Sequence, residues 1–342
     1  MSDRAALFAK GADLLREEKR VLLENLDEGA LTIDGAGRIS YINAKGLEIL
    51  KVDQGEVLGR EYDNLSGEFG SAIQRLIEKV AENGERAHEY VGLFELVAIS
   101  KEEGCILLLK DCSNQKKILE MGKEFIANAS HELRTPVTII RGFAETLKDL
   151  KEVPEAMYES ILEKIIRNCE RMENLVKNLL TLADLENSGP LKLKPCDLVL
   201  TLDECAEQLI NLHPHIHIEQ LYNEERIEVL GEETLLMLAF TNILNNCVKY
   251  SHSSAEIKII IEGRKEEVLV QIADKGQGIP ADCLDRIFDR FYTVDKAHSR
   301  KLGGAGLGLS IVKIIMGKHG IRIRVTSILN EGTTFYFTFP RL

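Results

Sequence analysis

The chain has 342 residues, 44% of them apolar and 29% charged, and its 43 basic and 55 acidic residues give a formal charge of −12. That length exceeds one ordinary core of roughly 100–150 residues, and the composition excludes a disordered or fibrous chain. The acidic balance speaks against a phosphate-coating role, which starts from a basic surface, so no nucleic-acid partner is expected.

The opening stretch, MSDRAALFAKGADLLREEKR, has no apolar leader core, and no segment approaches the roughly 18 uninterrupted apolar residues of a membrane span. No membrane insertion and a cytoplasmic location are expected. Residues 5–25 read as a charged helix, with 1–20 set apart as an N-terminal helix before a unit over 21–113. Within that unit LTIDGAGRISYINAKGLEIL alternates apolar and polar residues around an Asp34-Gly35 and Gly37 turn, as a hairpin should. Helices are expected over Ala44 to Leu50 and Ser71 to Ala81. YVGLFELVAISKEEGCILLLKD then supplies two more strands joined at Glu-Glu-Gly. The seven cysteines are scattered and never spaced as CxxC, which predicts reduced, mostly buried thiols.

From Asn114 a seven-residue repeat begins, with Leu119, Ile126, Leu133, Ile140 and Leu147 in one register and Ala129, Phe143 and Leu150 in the other. Pro154 breaks the chain. A second helix follows with the stripe Ile161, Ile165, Met172, Leu175, Leu179 and Leu182. Two antiparallel helices cannot bury both stripes alone, so residues 114–188 are expected to form a four-helix bundle from two chains, a homodimer. Gly189-Pro190 marks the next boundary. Residues 189–342 mix helices (203–212, 232–250, 306–319) with strands (IKIIIEG, VLVQIAD, IRIRVTSI, TTFYFTFP), the pattern of an α/β sandwich.

His131, in FIANASHELRTPVTIIRGF, falls at the heptad position furthest from the seam if Ile126 and Leu133 occupy position a. An imidazole, with an intrinsic pKa of about 6.5, keeps the lone pair a nucleophile needs. Glu132 can hold the other ring nitrogen and steady the charge that develops during attack. Thr135 lies one turn on, where its hydroxyl either orients a water or bonds the backbone. Pro136 removes a helix hydrogen bond, so a bend is expected there. An exposed helical histidine alone is usually surface decoration. HELRTP after a long heptad helix, however, closely resembles the phosphoacceptor helix of sensor histidine kinases.

Such a kinase needs an ATP site, and the C-terminal third holds its pieces. In TNILNNCVKYS, Asn242, Asn246 and Lys249 fall on neighbouring turns, where an amide oxygen suits Mg²⁺ and a lysine offsets phosphate charge. VQIADKGQGIP is a strand feeding Asp274, Gly276 and Gly278; a carboxylate can accept from a purine amine while glycines admit the base. In KLGGAGLGLSIVKIIMGKHG the glycines Gly303, Gly304, Gly306 and Gly308 lead into a helix whose free N–H groups can hold phosphates. This string lacks the Lys-Ser/Thr of a P-loop and the spacing of a dinucleotide fold. Between the last two pieces, IFDRFYTVDKAHSR reads as a lid anchored by Phe288, Phe291 and Tyr292 that carries Lys296, Arg300 and Lys301.

The order asparagine box, DxGxG, IFDRF, GGxGLGL is similar to the Bergerat-type ATP-binding domain of histidine kinases. The resemblance implies that ATP and Mg²⁺ are the cofactors, that Asn246 holds Mg²⁺ and Asp274 recognises adenine, and that Gly276, Gly278, Gly304, Gly306 and Gly308 shape the pocket. Tyr250, Lys301 and Leu307 are expected to complete it. Cys247 stands where the family usually has Ala, Ala305 where Thr is frequent, and Glu232 where Asp often precedes the asparagine helix. LLENLDEGALTIDGAGRISYINAKGLEIL resembles a PAS domain, and Asp111-Cys112-Ser113 the junction by which such domains join a signalling helix. The expected fold is thus multidomain α+β: a PAS-like antiparallel sheet, a two-helix hairpin and an ATP-binding sandwich. The function implied is ATP-dependent phosphorylation of His131 and transfer to an aspartate of a response-regulator receiver domain, with phosphatase activity toward it. A non-catalytic ATP-binding scaffold is the alternative, and a chaperone- or gyrase-like ATPase has no use for HELRTP. His88, the sole nearby candidate for a haem ligand, reads as a surface residue. His213, His215 and His217 would share one face of a strand, a weak metal candidate that half-buried Ile216 and Ile218 explain more simply.

Overall fold

The computed structural model describes residues 21–101, 104–149, 154–251, 254–295 and 304–342; the helix expected over 1–20 lies outside them. The first hairpin forms where the alternation predicts it, as β1 (Gly29–Ile33) and β2 (Ile39–Ile42). Its turn closes because the Asp34 carboxylate accepts from the N–H groups of Ala36 and Arg38 at 3.0 and 2.8 Å, with Gly37 at a φ of 78°. Asn43 is fully buried. Its amide oxygen caps helix α1 (Ala44–Leu50) through Gly46 N–H and also accepts from Ala30 N–H, while its NH₂ donates to the carbonyls of Leu23 and Glu28.

Helix α2 (Gly67–Asn83) turns Ala72, Ile73, Leu76 and Val80 onto the sheet, the spacing of one helical face. Three strands follow where two are expected: β3 (Arg86–Val91), β4 (Phe94–Lys101) and β5 (Gly104–Asp111). The extra reversal sits at Gly92, whose φ of 57° breaks what reads in sequence as one apolar run. All neighbours pair antiparallel in the order β2-β1-β5-β4-β3. This first unit covers residues up to 124. The Asp111 carboxylate accepts from Ser113 N–H at 2.8 Å, starting helix α3 (Ser113–Asp149), which continues through Pro136.

The second unit covers residues 125–342. Helix α4 (Glu155–Asn187) buries Ile161, Leu175 and Leu182 of the expected stripe, together with Leu185. On α3, Leu133, Ile140 and Phe143 are half-buried but Ile126 is 67% exposed, so one chain leaves part of the seam uncovered. The sandwich that follows has a five-stranded sheet in the order β11 (Arg322–Ile328), β12 (Gly332–Pro340), β10 (Glu267–Asp274), β9 (Glu256–Gly263), β7 (His217–Tyr222). Only the β7 and β9 pair is parallel. A two-stranded sheet, β6 (Lys194–Asp197) with β8 (Glu228–Gly231), lies beside it.

One face of the large sheet presents Ile257, Ile259, Ile261, Val268, Val270, Ile272, Phe335, Phe337 and Phe339 to helices α5 (Leu198–Leu212), α6 (Glu233–Lys249) and α7 (Gly308–Lys318). Phe240 of α6 meets Phe337 edge to face at 5.7 Å between ring centroids. Glu232 serves where Asp is usual, its carboxylate capping α6 at Leu235 N–H. The sandwich rests on the helical hairpin through Phe125 against Phe291 (5.6 Å), Arg290 paired with Glu186, and Lys318 donating to the Ser188 carbonyl at 2.7 Å. Among the described residues no helix is long and apolar enough to cross a membrane.

Candidate nucleotide and phosphoacceptor site

Asp274 ends β10 at the floor of an apolar pocket lined by Cys247, Ile279, Ile287, Val294, Leu309 and Phe335. Burial pushes its carboxyl up, while the N–H groups of Gly276 and Thr333 and the Cys247 thiol act the other way. A carboxylate so placed can accept hydrogen bonds from a flat amine-bearing ring set between apolar walls. The glycines beside it are sterically required. A Cβ on Gly276 would stand 2.5 Å from the Tyr250 carbonyl, and one on Gly278, at a φ of 67°, 2.1 Å from the Ile328 carbonyl. Tyr250 therefore shapes the floor with its backbone, accepting from Gln277 N–H, and lines the pocket with its side chain.

A second, polar pocket adjoins it across the shared residues Asn246 and Tyr250, at the end formed by Asn242, Lys249 and the 304–308 segment. Gly306, at a φ of 71°, accepts from Phe291 N–H at 2.9 Å, and a Cβ there would sit 2.6 Å from the Tyr292 carbonyl. Gly308 opens α7 so close to Asn242 that a Cβ would meet its amide oxygen at 2.9 Å. Asn242 thus braces the helix start, its NH₂ donating to the Leu238 carbonyl. Leu307 is buried and accepts from Ile311 N–H and the Ser310 hydroxyl, which fixes the first turn of α7. Burial, with a smaller contribution from the Arg171 guanidinium, pulls the Lys249 ammonium down to about 8. No carboxylate lines this end among the described residues, so it suits a polyanion. Gly303, Lys296, Arg300 and Lys301 lie outside the described residues.

His131 is exposed on α3. Glu132 is half-buried and accepts from Arg171 of α4 at 2.7 Å. The Thr135 hydroxyl donates to the His131 carbonyl at 3.2 Å, the backbone bond that was one of its two expected roles, which leaves its oxygen lone pairs to accept.

Sequence reasoning overlooked several residues that the fold brings to the pocket. Gly332, at a φ of 134°, passes so close to Asp274 that a Cβ would lie 1.9 Å from its carbonyl, and Thr333 follows it into the pocket wall. Arg171, Asn174 and Asn178 come from α4. The three alternating histidines do not share a strand: His213 caps the end of α5, His215 lies in the connecting turn, and only His217 enters β7. No metal-holding cluster of His, Cys, Asp or Glu occurs among the described residues. His88 is exposed on β3 beside the Tyr90 ring, and five of the seven free cysteines are buried.

Three family models match in series: the PAS fold over residues 17–110, the His Kinase A phospho-acceptor domain over 122–188, and the histidine kinase-, DNA gyrase B- and HSP90-like ATPase over 231–342. Sensor protein kinase WalK of Staphylococcus epidermidis is 29% identical over 94% of this chain and 55% of its own length. The WalK sequence from Staphylococcus aureus is 29% identical over 94% of this chain and 81% of its own length. This chain thus spans little more than half the length of the first of these relatives. Among solved structures, histidine kinase ThkA in complex with response regulator protein TrrA has the same fold, with 24% identity, a TM-score of 0.56 and coverage of 94% of this chain and 98% of that one. The matched modules follow one another along a PAS-like sheet, a helical hairpin bearing HELRTP and a sandwich with a glycine-walled pocket, and the chain belongs to the PAS-containing sensor histidine kinases.

Proposed function

We propose that this chain is a cytoplasmic, homodimeric protein-histidine kinase that moves the γ-phosphoryl group of ATP to His131, and from there to an aspartate of a response-regulator receiver domain. The observation that carries the reading is a pair of adjoining pockets that share Asn246, Tyr250, Tyr292 and Leu309 in their walls. One is apolar and floored by Asp274, the other polar and without a carboxylate among the described residues, and both lie in the same unit as the exposed His131. Asp274 accepts from the adenine amine, and Gly276, Gly278, Gly304, Gly306 and Gly308 let backbone approach the nucleotide. Lys249 and the N–H groups that open α7 neutralise phosphate charge. The Asn246 amide oxygen would hold Mg²⁺, which when bound shields the triphosphate.

Phosphoryl transfer asks the protein mainly for positioning and charge. The His131 lone pair forms the N–P bond as the bond to the β-phosphate oxygen breaks, its electron pair leaving on ADP. Glu132 steadies the phosphoimidazolium and takes up its one remaining ring N–H proton. The exposed Leu119 and Ile126 support a dimer through residues 114–188 that covers the seam. Thr135, with oxygen lone pairs left to accept, directs water toward a phosphoaspartate in the reverse reaction.

Incubation with γ-labelled ATP and Mg²⁺ tests the reading: an acid-labile, alkali-stable label on the chain that passes to a receiver domain is expected. Tight ATP binding with no label would identify the chain as a non-catalytic scaffold.

A further inference from the structure

Arg171 lies on α4, outside the nucleotide sandwich, yet its side chain reaches two places at once. Its Nη2 donates to Glu132 at 2.7 Å, next to the phosphoacceptor, and it lines the polar end of the pocket beside Lys249 and the 304–308 segment. The Arg171 side chain is 11% exposed and that of Glu132 19%. Such a pair holds a well-defined geometry that a surface ion pair lacks. Two cations, Arg171 and Lys249, therefore face one cavity whose described walls carry amides and backbone N–H groups but no carboxylate. Their mutual repulsion already shows in the Lys249 ammonium, where the Arg171 guanidinium adds to burial. Like charges gathered around a polar void are stabilised by an anion between them. A planar guanidinium suits the oxygens of a terminal phosphate, which it can grip with two parallel hydrogen bonds.

Building on the proposed function, we propose that Arg171 is a positioning residue that reads the terminal phosphate of a nucleoside triphosphate, and that this contact competes with its ion pair to Glu132. ADP offers no γ-phosphate to Arg171, which stays on Glu132. A triphosphate draws the guanidinium toward itself and frees the Glu132 carboxylate to serve the His131 ring. The bundle would thereby report nucleotide state to the carboxylate beside the phosphoacceptor.

The test is the ratio of ATP to ADP affinity, measured with Mg²⁺ by calorimetry on the full chain, alongside kcat and KM for His131 labelling. Arg171→Gln should weaken ATP about tenfold while ADP stays within about twofold, since one charge-assisted contact is lost. Arg171→Lys, which keeps the charge without the fork, should fall between them, and it remains informative if the glutamine variant folds poorly. Glu132→Gln should leave ATP binding intact or tighter, because the competitor is gone, while kcat drops. Equal weakening of ATP and ADP, or an unchanged ratio in both arginine variants, would overturn the inference and leave Arg171 a staple between helices. A wild-type chain that binds ATP but never labels His131 would instead defeat the proposed function, whatever the ratio shows.

Discussion

Raising the pH should weaken ATP binding, with Lys249 setting the onset. Its ammonium is pulled down from 10.5 to about 8, first by burial and then by the Arg171 guanidinium. Phosphates bind the charged form. Below pH 8 the lysine carries its proton before the nucleotide arrives, whereas above pH 8 binding must first take one up. Affinity should therefore fall by about tenfold for each pH unit above 8, until the raised pKa of the nucleotide-bound lysine is reached. Between pH 7 and pH 9 the loss is about tenfold. The triphosphate is fully ionised over the upper part of this range, so its own titration does not imitate the effect.

Calorimetry in two buffers of different ionisation enthalpy measures the uptake directly, which should rise from near zero at pH 7 toward one proton at pH 9. Lys249→Arg, charged throughout, should flatten the profile. Proton uptake that persists in Lys249→Arg, or none in the wild type, would show that Lys249 is not the group that takes up the proton. Without nucleotide the same displacement acts on stability with a fixed sign. The unfolded chain protonates first as pH falls, so stability rises with pH between about 8 and 10.5.

Asn246→Ala should abolish Mg·ATP-dependent labelling while size-exclusion chromatography still shows the dimer, because the residue lies in the sandwich, apart from the heptad seam. Gly332→Ala should cost about 1–3 kcal/mol of stability in thermal unfolding and weaken ATP binding, since its Cβ would press on the strand end that carries Asp274. Thr135→Ala should leave labelling of His131 within a few-fold of wild type while slowing loss of phosphate from a phosphorylated receiver domain by about tenfold. Equal loss of both activities would assign Thr135 to the helix alone, through its bond to the His131 carbonyl.

What was legible in the sequence is what periodicity and local turn chemistry encode. The hairpin at Asp34 and Gly37, the long heptad helix and the strands ending at Asp274 and Pro340 stand where pattern puts them. The strand ending at Val91 was hidden, because Gly92 interrupts a run whose apolar character continues on both sides. Gly332 and Thr333 were invisible as pocket residues, since only the β10 to β12 pairing carries them to Asp274. In sequence Arg171 is one more charge flanking the apolar stripe of an amphipathic helix. Its meaning comes from α4 packing against the sandwich, a tertiary contact that no spacing rule encodes. The histidines at 213, 215 and 217 mislead for the opposite reason: alternation implies a shared face only inside a strand, and the strand begins at the last of them.

The position of the phosphoryl group decides whether His131 is the phosphoacceptor. After incubation with Mg·ATP at alkaline pH, peptide mass spectrometry without acid treatment should find one phosphohistidine, at His131, and His131→Gln should carry no label while still binding ATP. Full labelling of His131→Gln, or a phosphoryl group mapped to any other residue of the wild-type chain, would rule out His131 as the phosphoacceptor.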